Sequence, residues 1–138
     1  MNKKKLKRLI EGGESTTVEF KRKLNESHKI AKELCAFANT KGGVLIVGID
    51  DDGTICGVMS EKTEEEIIMQ ACDFDLSPPI NPQIYNFNIM GYEVVVAVIE
   101  ESSNKPINLI SLNENNQKIK RAYIRVGEKS VMASSEMA

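Results

Sequence analysis

The sequence holds no tryptophan, one histidine (His28) and three cysteines, Cys35, Cys56 and Cys72, spaced by 21 and 16 residues. With no CxxC pair and no second histidine, the spacing of a structural zinc site is missing. The thiols, set in apolar segments, are expected to be packed rather than bridged. No GxxxxGK[ST] string occurs, which removes the P-loop route to nucleotide binding. There is no internal repeat, and no Gly-, Pro- or Ser-rich linker marks a second domain. No stretch reaches the roughly 18 apolar residues of a membrane span, and the basic start MNKKKLKRLIEGG lacks the apolar core of a signal peptide. A cytoplasmic protein with no membrane partner is expected.

What is present is ordinary for one globular domain spanning 1–138: 41% hydrophobic and 28% charged residues in a chain of 138. The net charge of −2 conceals a segregation of sign. Residues 1–25 carry eight Lys/Arg against three glutamates, whereas residues 50–75 carry nine Asp/Glu against Lys62 alone. A weakly acidic chain can therefore still present a basic face to a polyanion.

The run AFANTKGGVLIVGIDDDGTICG, from Ala36 to Gly57, organises the rest. Its apolar start reads as a helix end that turns at Gly42-Gly43, with Asn39 and Thr40 satisfying helix-end carbonyls or fixing the turn. Val44 to Ile49 is almost continuously apolar and β-branched, which predicts a central strand buried on both faces. Asp50-Asp51-Asp52-Gly53 supplies turn chemistry, and Thr54 to Val58 is expected to return as the second strand of a hairpin, with Gly57 at a bulge or close backbone approach.

Elsewhere, Lys3 to Glu11 fits an amphipathic helix packed on a sheet edge. Thr17 to Lys23 alternates as a strand with Val18 and Phe20 inward and Glu19 outward. Asn25 or Ser27 caps a core helix running to Asn39, and Thr63 with Glu66 predicts a capping box for a second one. Strands are expected over Gln83 to Ile89, Tyr92 to Ile99, Ile107 to Leu112 and Ile119 to Val126. The fold class that follows is α+β: a mixed, mostly antiparallel sheet covered by two main helices.

Five blocks identify a resemblance: GESTTVEFK (Gly13 to Lys21), CAFANTKGG (Cys35 to Gly43), LIVGIDDDGTICGV (Leu45 to Val58), SPP (Ser77 to Pro79) and AYIRVGEKSVMAS (Ala122 to Ser134). The chain resembles the Schlafen-type AlbA domain family of bacterial regulators and animal Schlafen proteins. The resemblance implies a single Schlafen AlbA-like domain, DNA- or RNA-binding, that stands alone or forms the N-terminal part of a longer transcriptional regulator. It also implies pairing as a homodimer, and an ATP- or nucleotide-binding label often accompanies it. The polar ending ASSEMA is expected to add no core of its own.

Two constellations carry the chemistry. Glu19 on an outward strand face and Asp50 at the end of the central strand would meet as oxygen ligands for Mg2+ or Mn2+, positioned to activate water against a phosphodiester. By resemblance to RNA-cleaving Schlafen relatives, the catalytic carboxylates of a metal-dependent endoribonuclease would be Glu14, Glu19 and either Asp50 or Asp51. The same acids equally fit turn and surface roles. The second constellation is basic. Lys21, Arg22, Lys23, Lys118, Lys120, Arg121 and Arg125, with Tyr123 as a stacking surface, would line a groove for nucleic acid if the first and last strands lie close. Non-enzymatic nucleic-acid binding is the preferred reading.

Overall fold

The computed structural model describes residues 1–133, so the reading of the polar ending falls, beyond Ala133, outside the described residues. The elements in chain order are α1 (Lys3–Gly12), β1 (Val18–Lys21), α2 (Ser27–Asn39), β2 (Gly43–Val47), α3 (Glu61–Gln70), β3 (Leu76–Ser77), β4 (Gln83–Ile89), β5 (Tyr92–Ile99), β6 (Asn108–Leu112), β7 (Lys118–Val126) and β8 (Lys129–Met132). A π-helical turn, Ala71–Asp75, follows α3.

The strands form two four-stranded sheets rather than the single sheet expected, in the orders β1-β2-β5-β4 and β3-β6-β7-β8. Only β1 and β2 run parallel. The fold is thus mixed α+β and mostly antiparallel, as the sequence pattern predicts. Strand β2 lies between β1 and β5, and Leu45, Ile46 and Val47 on its two faces are completely buried.

Two apolar layers explain why β2 has no polar face. On one side, Leu6 and Ile10 of α1 pack with Val18, Phe20, Ile46, Val94 and Val96, so α1 covers a face of the sheet and not its edge. On the other, Ile30, Leu34, Phe37 and Ala38 of α2 meet Leu45, Val47, Val95 and Ala97, together with Ile107 and Leu109 leading into the second sheet. Each buried side chain of Leu or Phe size contributes about 1.5–3 kcal/mol, so these layers dominate the fold.

Two local expectations change. The strand after the acidic turn does not form: Ile49 and Ile55 make a single bridge, and the amides of Cys56 and Gly57 both donate to the Gly48 carbonyl at 2.9 Å. The close backbone approach expected at Gly57 is present, with its Cα 3.1 Å from where a Cβ on Gly48 would sit. At α3, Ser60 and not Thr63 is the cap, its hydroxyl accepting from the Thr63 amide at 3.2 Å. Glu64 is buried and accepts from the Leu24 amide at 2.9 Å, tying α3 to the segment after β1.

Candidate nucleic-acid interface

Glu19 faces inward. Its register partner on β2 is Leu45, so alternation sends its side chain to the face that α2 and the second sheet cover, and it is 8% exposed. The expectation of an outward Glu19 fails because a sheet covered on both faces has no outward side. Arg125 of β7 meets it there: Nη1 donates to Glu19 Oε1 at 2.9 Å and to Ser130 Oγ at 3.1 Å. Nη2 donates to the Ser15 carbonyl at 2.7 Å, and Nε to the Thr16 carbonyl at 3.2 Å. The guanidinium also lies 3.6 Å from a Glu33 oxygen of α2 and 4.8 Å from the centre of the Phe37 ring. With its side chain wholly buried, Arg125 is an internal clamp and not a phosphate contact.

Burial pushes the Glu19 carboxyl from its ordinary 4.5 up to about 7; hydrogen bonding to Arg125 opposes this, and the negative charges of Glu33 and Glu14 reinforce it. Glu14 is engaged with backbone, accepting from the Phe20 amide at 2.9 Å. Asp50 lies three residues beyond the end of β2 and pairs with Arg22 at 3.1 Å, and Asp51 is exposed on the turn. Among the described residues, no group of three acid, histidine or cysteine side chains is placed to hold a metal ion. The donor set of Glu14, Glu19 and Asp50 therefore does not fit Mg2+ or Mn2+ as arranged, because a cation already sits against two of its members.

The turn after α2 is structural, as its residue types suggest. Thr40 Oγ1 donates to the Ala36 carbonyl at 2.7 Å and accepts from the Arg125 amide at 3.0 Å. Asn39 reaches further than the sequence shows, donating to the carbonyls of Ile107 at 2.8 Å and Tyr123 at 2.9 Å while accepting from the Ile107 amide at 2.7 Å. Gly42 takes φ +76° and Gly43 lies where a Cβ would overlap the Phe37 ring.

The basic candidates separate into three groups. Lys21 and Lys23, leaving β1, line a cleft of about 140 Å3 with Lys29 of α2. Lys32, one helical turn along α2 from Lys29, places its ammonium 5.3 Å from the centre of the Tyr123 ring. Arg121 lies on the same face of β7 as Tyr123 and lines a cleft at the β6–β7 turn with Leu112, Asn113 and Ile119. Lys118 and Lys120 occupy the opposite face of β7 by the same alternation. Arg22 is exposed but engaged by Asp50.

The blocks that build this arrangement coincide with a family pattern: the model described as Schlafen, AlbA_2 matches residues 14–134. The chain belongs to that family. The AlbA_2 domain is similar to an uncharacterised ATP-binding protein of Ureaplasma parvum, 31% identical over 125 residues, covering 77% of this chain and 35% of that protein. The chain thus spans about a third of the length of this curated relative. Its fold resembles the solution structure of the N-terminal domain of a protein of Nitrosomonas europaea named as related to the ATP-dependent DNA helicase RecG, at 22% identity, TM-score 0.65 and 89% coverage of both chains. It also resembles a crystal structure of a Corynebacterium diphtheriae protein, at 22% identity and TM-score 0.61, covering 86% of this chain and 22% of that one. No helix of the AlbA_2 domain's described residues is long and apolar enough to cross a membrane.

The residues missed by sequence reasoning are Lys29, Lys32 and Glu33, all of them helical. Helical spacing only sets them off the apolar face of α2, and nothing local shows that they border β1 and β7. Glu33 in particular joins the Arg125 cluster from an element remote in sequence.

Proposed function

We propose that this AlbA_2 domain binds nucleic acid, DNA or RNA, by its phosphates along a track from Lys21, Lys23 and Lys29 to Lys32, Tyr123 and Arg121. The observation that carries the reading is the convergence of three lysines from two elements on one cleft. Their ammonium groups are only loosely held. The Lys21 approach to Glu19 and the Lys29 approach to Glu26 are each 3.8 Å long. The Lys29–Glu26 pair is exposed, and a pair of that kind contributes about 0–1 kcal/mol, so a phosphate can displace it at little cost. The name of the Nitrosomonas europaea relative, which refers to a DNA helicase, agrees with this chemistry.

Glu26 and Glu33 interrupt the track, and the whole chain is acidic, so binding should be local and salt-sensitive rather than indiscriminate. Titration of labelled single-stranded and double-stranded probes at low salt tests the reading. Saturable binding that weakens with added salt supports it, and no binding to either probe contradicts it.

A further inference from the structure

The segment from Lys23 to Asn25 lies between two adjoining clefts. Lys21, Lys23 and Lys29 line the smaller one on its first side. On the other side, Leu24, Asn25, Val58, Met59, Thr63 and Ile67 contribute to a second cleft of about 400 Å3, inside the range of about 300–1,000 Å3 typical of small-ligand sites. Lys23, Leu24 and Asn25 belong to both walls.

The walls are pinned. The Leu24 amide donates to the buried Glu64 carboxylate at 2.9 Å, and the Val58 amide donates to the Glu93 carbonyl at 2.9 Å. Leu24, Val58 and Ile67 give the second cleft an apolar lining, while Met59 stands fully exposed beside it. Asn25 is exposed at the junction, and among the described residues its side chain makes none of the fold's hydrogen bonds, which leaves one donor and one acceptor group free. A cationic cleft and an apolar one with a free amide between them match a group that is anionic at one end and flat and apolar at the other.

The geometry points to a site for one nucleotide unit, with its phosphate against Lys21, Lys23 and Lys29 and its base in the cleft of Leu24, Val58, Met59 and Ile67. This inference rests on the proposed role of the lysines in binding phosphate. The unit comes either from a free nucleotide or from an unpaired residue of a strand. A base stacked inside a duplex cannot enter such a cleft, so a strand would be bound in its single-stranded form.

The test measures binding of the full chain to a labelled single-stranded oligonucleotide and to its duplex by fluorescence anisotropy, and to ATP by calorimetry. Three variants are compared, with melting curves confirming that each is folded: Thr63→Trp fills the apolar cleft, Met59→Glu puts a negative charge beside it from a fully exposed position, and Lys29→Gln removes a cation that faces phosphate. For a strand ligand, the single strand binds about tenfold more tightly than the duplex. Thr63→Trp removes that advantage without changing duplex affinity, Met59→Glu weakens the single strand more than the duplex, and Lys29→Gln weakens both probes alike. For a free nucleotide, ATP binds, competes with the single strand and no longer binds the Thr63→Trp variant. Equal affinity for single strand and duplex, unchanged by Thr63→Trp and Met59→Glu and with no ATP binding, overturns the base cleft while leaving the phosphate track standing. No binding to any probe overturns both.

Discussion

Arg125 of β7 donates a 2.9 Å hydrogen bond to Glu19 of β1, and through that bond the second sheet is fastened to the edge strand of the first. One guanidinium also holds the carbonyls of Ser15 and Thr16, so the polar segment before β1 has a fixed path. A planar fork with five N–H groups suits this arrangement, whereas a lysine ammonium could not reach the same acceptors together.

Arg125→Met is accordingly expected to cost about 3–5 kcal/mol, since it leaves Glu19 buried beside Glu33 with only the half-exposed Lys21 ammonium, 3.8 Å away, as counter-charge. Urea denaturation measures the loss. It should be larger at pH 8 than at pH 5, where protonation of Glu19 relieves part of the strain. Arg125→Lys should recover only a fraction. A loss below about 1 kcal/mol at either pH, the level of an exposed ion pair, would contradict the clamp.

The Glu19 carboxyl gives the fold a pH dependence of definite sign. Below 4.5 both folded and unfolded chains hold its proton; between 4.5 and about 7 the folded chain keeps a proton that the unfolded chain has released. Stability contributed by this group is therefore full below 4.5 and is lost as pH rises through about 7. Relative to the wild type, Glu19→Gln should remove a downward slope across that window. Parallel stability curves for the two proteins from pH 4.5 to about pH 8 would show that Glu19 titrates normally.

Divalent metal is expected to leave the melting temperature unchanged, because Arg125 occupies the position a cation would take beside Glu19 and Arg22 holds Asp50. Differential scanning fluorimetry with Mg2+ and Mn2+ provides the check. A rise in melting temperature that disappears in Glu19→Gln would mean that these carboxylates rearrange around a metal.

The fold was legible wherever the signal was local. The boundaries of β4 and β5 follow from strand-forming runs on either side of Met90-Gly91, and the two glycines that follow Lys41 mark the turn out of α2. Strand β2, read as buried on both faces, is so because α1 and α2 each cover one. The division into two sheets was not legible, since it depends on β6 pairing with β3 and β7 rather than with β5. That choice also decided the site. Glu19 and Arg125 both read as surface charges in an alternating strand, yet they are 106 residues apart and meet only because the second sheet brings β7 over the face of β1 that carries Glu19. Lys21 and Lys23 were legible as basic residues, but their neighbours Lys29 and Lys32 required the packing of α2.

The most direct measurement is the salt dependence of nucleic-acid affinity for single charge-removing variants. Lys23→Gln and Lys29→Gln should each weaken binding to every probe and lower the slope of log affinity against log salt by about one unit, the share of one neutralised phosphate. Lys118→Gln and Lys120→Gln, on the other face of β7, should leave that slope as it is in the wild type. The opposite pattern, with the slope flattened by Lys118→Gln and Lys120→Gln and untouched by Lys23→Gln and Lys29→Gln, would contradict the interface described above.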